Sequence, residues 1–152
     1  MKTKIQELKQ AGLVANFEIS WKDIYKYLGK AKKSIMVAEK NIVIDSETAY
    51  ILLYQAMLEA GRSFMFLYKL RPVNGQQHKT VVSFCTWVLG DKFREVTQNF
   101  DEMRKKRNKF IYDIYEVEIS LSELNYLFKE AKKFIYIIEK IIKQKNPQQE
   151  LL

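Results

Sequence analysis

The sequence predicts an all-α protein, an antiparallel up-and-down four-helix bundle with one extra short helix. Three observations predict it. Apolar residues recur three and four positions apart over most of the 152 residues. Only five glycines and two prolines interrupt them. The connections between the four long periodic segments are short enough for antiparallel neighbours. A chain of this length can bury roughly 68–70% of its unfolded surface, so residues 1–152 read as a single domain. With 47% hydrophobic and 29% charged residues it is neither disordered nor fibrous.

Taken in order, a peripheral helix falls within 1–15, running from Thr3 to Ala11 and closed by Gly12, which tolerates positive φ. Ser20-Trp-Lys-Asp23 comes close to a capping box and opens the second helix. Its Trp21, Ile24, Leu28, Ala31, Ile35 and Ala38 form one apolar stripe. Asp45 and Ser46 start a third helix, reaching about Leu70, that is apolar on most sides and therefore the most buried. "RPVNGQQH", residues 71–78, reads as a loop from its proline and Asn-Gly. "KTVVSFCTWVLG", residues 79–90, has the β-branched and aromatic content of a strand. No partner strand is evident, and the segment is read as a short helix ending at Gly90. Asp91 caps a helix that runs to Tyr112 or Tyr115, and Ser120-Leu-Ser-Glu123 is a capping box for the last helix. That helix carries Leu124, Phe128, Ala131, Ile135, Ile138 and Ile142 on one stripe, and residues 145–152 are expected to fray.

Composition narrows the chemistry. The net charge of +8 favours a polyanionic partner, although solvated lysine faces produce the same balance. A single cysteine, Cys85, and a single histidine, His78, leave no disulfide and no zinc site of the usual kind, so neither metal nor cofactor is expected. "MKTKIQELKQ" lacks the apolar centre of a signal peptide. The most apolar stretch, Ala49 to Leu70, is broken by Gln55, Glu59 and Arg62 and makes a poor membrane span. A cytoplasmic protein is expected.

One cation sits out of pattern. Phe93, Val96, Phe100, Met103, Phe110 and Ile114 step along an apolar stripe, and the position missing from its middle is Arg107. Either the helix drifts enough for the arginine stem to lie over the core with its head in water, or the guanidinium points into a cleft that supplies acceptors or an anionic ligand. Asn108, Tyr112 and Tyr115 lie along an adjoining face, surrounded by Arg104, Lys105, Lys106 and Lys109. Arginine beside aromatics and an amide suits RNA, through phosphate pairing, base stacking and edge contacts. On the third helix Gln55, Glu59 and Arg62 form a polar line, which is either its solvent edge or a place where Glu59 pairs with Arg107 or Arg62 across the bundle.

Three segments resemble the HEPN proteins, specifically the small stand-alone kind encoded beside a minimal nucleotidyltransferase. "YQAMLEAGRSFM", Tyr54 to Met65, is similar to the family pattern Y-Y-A-M-F-H-A-A-R-A-L-L, with Tyr54, Ala56, Met57, Ala60 and Arg62 identical. "HKTVVSF", His78 to Phe84, is similar to H-K-x-V-x-x-F, and "RNKFIYD", Arg107 to Asp113, resembles R-N-x-A-D-Y in one branch and R-N-x-x-x-H in another. The resemblance implies a homodimer whose two arginine motifs meet in a cleft at the interface. It further implies metal-independent cleavage of RNA by its own 2′-hydroxyl, in a toxin restrained by a nucleotidyltransferase partner, or in other branches binding without catalysis.

On this footing Arg107, Asn108 and Tyr112 are the catalytic candidates. Arg104, Lys105, Lys106, Lys109 and Tyr115 would bind RNA, and His78, Glu59 and Arg62 are accessory candidates. The chain departs from the pattern at Tyr112, where the catalytic branch has histidine. A free imidazole titrates near 6.5 and a free phenol near 10, so a phenol used as base costs roughly 5 kcal/mol more. Catalysis is expected to be weakened or lost. The alternative is a non-catalytic helical adaptor for a nucleotidyltransferase or other protein.

Overall fold

The computed structural model describes residues 2–73, 75–113 and 117–146. Among them are six α-helices: α1 (Lys2–Gln10), α2 (Trp21–Asn41), α3 (Ser46–Leu67), α4 (Gln77–Leu89), α5 (Arg94–Tyr112) and α6 (Leu121–Lys145). A single 3₁₀ turn, Asp91–Phe93, leads into α5. Two short strands, β1 (Val14–Asn16) and β2 (Leu70–Pro72), pair antiparallel with Val14 opposite Pro72 and Asn16 opposite Leu70.

The helix ends follow local chemistry. α1 stops in a Schellman motif: Gly12 at φ +71° lets its own N–H reach Lys9 O and lets Leu13 N–H reach Leu8 O, each at 3.0 Å. Ser20 Oγ accepts from Asp23 N–H at 3.2 Å, and Ser120 Oγ accepts from Glu123 N–H at 3.1 Å. Only half of the second capping box forms, because the Glu123 carboxylate is taken by Lys106 Nζ at 3.0 and 3.1 Å. The described tail is anchored rather than frayed: Asn146 is buried and donates to Tyr25 Oη at 3.3 Å. Residues 147–152 of the expected frayed tail lie outside the described residues.

α3 is the central helix, packed by α2, α4, α5 and α6. Tyr50, Leu53, Tyr54, Met57, Leu58, Phe64 and Met65 are all buried, as its apolar circumference requires. The expected four-helix bundle is not what forms. Six helices are present, each supplies buried residues, and α4 lies in the core through Val81, Val82, Phe84 and Cys85. Nor is the order simply up and down, because α4 runs in the same sense as α3. Tyr54 meets His78, Gly61 faces Val81 and Cys85, and Tyr68 meets Phe84, so contacts advance along both helices together.

The physical reason lies in the connection. From Tyr54 to Leu67 α3 rises about 20 Å, and residues 68–76 can span about 30 Å when extended. β2 is held out by β1, so the chain returns along α3 before starting α4 instead of reversing tightly. Lys69, at φ 57°, makes the bend, and its carbonyl accepts from Phe17 N–H at 2.9 Å. Three-residue strands carry too little alternation to be seen in sequence, and β1 follows directly on the peripheral helix that closes at Gly12.

Contact between α3 and α4 depends on Gly61. A Cβ there would stand 2.7 Å from Val81 Cγ1 and 3.2 Å from Cys85 Sγ. Gly61→Ala should therefore destabilise the protein by about 1–3 kcal/mol despite its better helix propensity. In a denaturant-unfolding double-mutant cycle with Val81→Ala, the pair should cost less than the sum of the singles. A more stable Gly61→Ala protein would refute the close approach.

Candidate functional site

α5 presents two faces. Val96, Phe100 and Met103 enter the core, whereas Arg104, Arg107, Asn108 and Tyr112 follow one another at helical spacing on an adjoining face. That face looks across an open cleft of about 650 Å³ at Gly75, Gln76, Gln77, His78 and Lys79, the approach to and first turn of α4. Three segments far apart in sequence thus meet there, with Tyr54 of α3 beneath.

Arg107 resolves the anomaly on the apolar stripe. Its guanidinium carbon lies 5.9 Å from the centroid of the buried Tyr54 ring, and its Nη1 donates to Asn108 Oδ1 at 3.3 Å. The stem completes the stripe over an aromatic face while the head enters the cleft. Among the described residues Arg107 pairs with no carboxylate. Arg104 differs: its Nε and Nη2 donate to Asp101 Oδ1 at 3.1 and 3.0 Å, and Lys105 also reaches Asp101 at 3.3 Å. Arg107 is thus a half-buried cation whose charge the protein leaves uncompensated at close range.

His78 is brought to the same place. Its Nδ1 is 3.0 Å from Tyr54 Oη, and the ring lines the cleft with Arg107. Burial first, then the charges of Arg107, Arg62 and Arg104, hold its imidazole below the usual histidine value. Burial pushes the Tyr54 phenol up to about 12 against the opposing pull of the same three arginines, so it keeps its proton at any ordinary pH. Sequence spacing gave no sign of this meeting, since it depends on the extended return between α3 and α4.

The remaining candidates divide. Lys79 lines this cleft and, with Arg104, also lines an adjoining hollow of about 560 Å³ that holds Lys105 and reaches Trp87. The two together make a groove along the α4–α5 seam. Tyr112 stands at the rim, 76% exposed. Lys106 faces away, paired with Glu123 and 5.6 Å from the Tyr50 ring centroid, and Lys109 is exposed outside the cleft lining. Glu59 is buried on the opposite flank of α3, where Ser34 Oγ donates to it at 2.6 Å, and is no partner to Arg107. Arg62 acts on His78 and Tyr54 through its charge. Tyr115 lies outside the described residues.

Among the described residues no three His, Cys, Asp or Glu side chains converge as a metal site, and no helix is long and apolar enough to cross a membrane. Burial raises the Cys85 thiol far above its usual range, which keeps it inert. No known protein family and no curated protein matches the sequence.

The depressed His78 value has a consequence for stability. The unfolded chain binds a proton near pH 6.5 that the folded chain resists, so stability is complete above that pH and falls as acid protonates the imidazole. The stability of wild type minus that of His78→Gln, followed by urea unfolding from pH 8 to pH 5, should decline below about pH 6.5. A flat difference would mean the imidazole is not held in the neutral form.

Proposed function

We propose that this protein acts on RNA through the Arg107-centred cleft and the groove that continues from it. The observation that carries the reading is the convergence of Arg107, Arg104 and Lys79 on one open cleft, with Arg107 lacking a carboxylate. A phosphodiester would supply the missing anion, and the planar guanidinium favours its paired oxygens. The two hollows are open, share Lys79 and Arg104, and are lined mainly by polar and charged residues, which fits a flexible strand better than a small metabolite.

The three segments similar to HEPN proteins meet at this cleft, which supports the same reading. On that resemblance the chain works in the cytoplasm as the RNA-directed half of a toxin–antitoxin pair, restrained by a nucleotidyltransferase. A second copy completes the cleft in this reading, and the exposure of Tyr112 at the rim and of Ile111 beside it in sequence supports a covering partner. Sedimentation at micromolar concentration should give a dimer, and a monomer would remove the composite cleft.

For single-stranded RNA, three cationic contacts imply a slope of about −2 in log affinity against log salt. Arg107→Ala should weaken binding about tenfold and flatten that slope by about 0.7. Lys106→Ala should change affinity by less than about twofold, because its ammonium is engaged by Glu123 on another face. Salt-independent binding, or equal losses from both substitutions, would remove the cleft from RNA recognition and favour the protein-adaptor alternative.

A further inference from the structure

The seam between α4 and α5 carries a second feature, away from Arg107: an exposed indole shared by two hollows. Trp87 is 37% exposed and lines both the hollow of about 560 Å³ and a smaller one of about 240 Å³ at the end of the seam. Among the described residues no other aromatic side chain lines either of them. We infer that Trp87 is a stacking platform for an unpaired nucleobase, in a subsite that adjoins the Arg107-centred cleft. The inference rests on the RNA reading above and adds where one base of the strand is held.

The two ends of the seam differ in charge. Among the described residues no carboxylate lines the Arg107 cleft, whereas Asp101 and Glu102 both line the larger hollow beside Trp87. Arg104 and Lys105 are already paired with Asp101 there, at 3.0 and 3.3 Å. A phosphate placed in that hollow would meet Glu102 and cations that are engaged, so it gains little. An uncharged base meets no such penalty, and carboxylates accept hydrogen bonds from exocyclic amines on its edge. The charges therefore favour a phosphate at Arg107 and a base at Trp87.

One strand can make both contacts. His78, which lines the Arg107 cleft, stands nine residues before Trp87 on α4, about 13 Å along the helix axis. At the 3.4 Å rise of a stacked strand that distance is about four nucleotides, and fewer when the strand is extended. Lys79 lines both the cleft and the larger hollow and pairs with no carboxylate among the described residues, so it can follow the backbone between them. Lys4 Nζ lies 5.1 Å from the centroid of the Trp87 ring but lines only the smaller hollow. It braces the indole by a cation–π contact and leaves the larger hollow open to a base.

The chain has two tryptophans, Trp21 and Trp87, so Trp21→Phe leaves the Trp87 indole as sole reporter. Titration of that protein with a single-stranded RNA hexamer should quench its fluorescence, with the midpoint that anisotropy of the dye-labelled RNA gives. Trp87→Ala should weaken binding about 5- to 100-fold. It should leave the slope of log affinity against log salt unchanged, because no phosphate contact is lost. Trp87→Phe should keep most of the affinity, and Trp87→Leu should not. A hexamer that lacks its bases should bind wild type and Trp87→Ala alike. Unchanged affinity in Trp87→Ala, no quenching at saturation, or an equal loss on the abasic strand would each overturn the subsite. Binding that Arg107→Ala still weakens would then leave the RNA reading standing. Failure of wild type to bind RNA at all would overturn both.

Discussion

α3 and α4 approach closely at Gly61 because residue 61 carries no side chain, and much of the molecule is arranged around that contact. Val81 lies over Gly61 at a distance no Cβ would tolerate, and Cys85 at one that would be tight. On α4, His78, Val81 and Cys85 fall three and four residues apart, so a helix seated on Gly61 carries His78 to the same side. On α3, Tyr54 lies two turns before Gly61 and meets His78 there. The position of the imidazole is therefore a property of core packing rather than of a loop.

Tyr54 links that packing to the electrostatics. It is fully buried, yet its hydroxyl holds His78 and its ring carries the Arg107 guanidinium. Phe100 of α5 also packs against it at 5.8 Å between centroids. One aromatic side chain thus sets the relation between the two walls of the cleft. An arginine in the apolar stripe of α5 is stable because the ring below it offers a polarisable face and the cleft above it offers water.

Most helices were legible because their signals are local. Ser20 and Ser120 cap their helices, Gly12 takes the positive φ that ends α1, and α3 is buried on the sides its composition requires. What could not be read depends on distance. The β1–β2 ribbon joins three-residue segments more than fifty residues apart, and without it α4 reads as an accessory to four antiparallel helices. Arg107 was conspicuous because it broke a period. His78 broke none, being the lone histidine at the edge of a loop, and only the return of the chain along α3 gives it a neighbour. Lys106 illustrates the converse error: it belongs to the same basic run as Arg107, but one residue is a 100° turn of the helix, enough to face Glu123 instead of the cleft.

Splitting the site between two helices has a further effect. Where an arginine and a histidine share one helix, their separation is fixed by its rise and survives as long as that helix does. Here Arg107 and His78 stand on α5 and α4, and their distance is maintained through Tyr54 and Gly61. Loosening the first turn of α4 would withdraw the imidazole and leave Arg104 and Arg107 in place on α5. The positions of the guanidinium and the imidazole are thus separable in this fold, and whatever orders the start of α4 controls the second without moving the first.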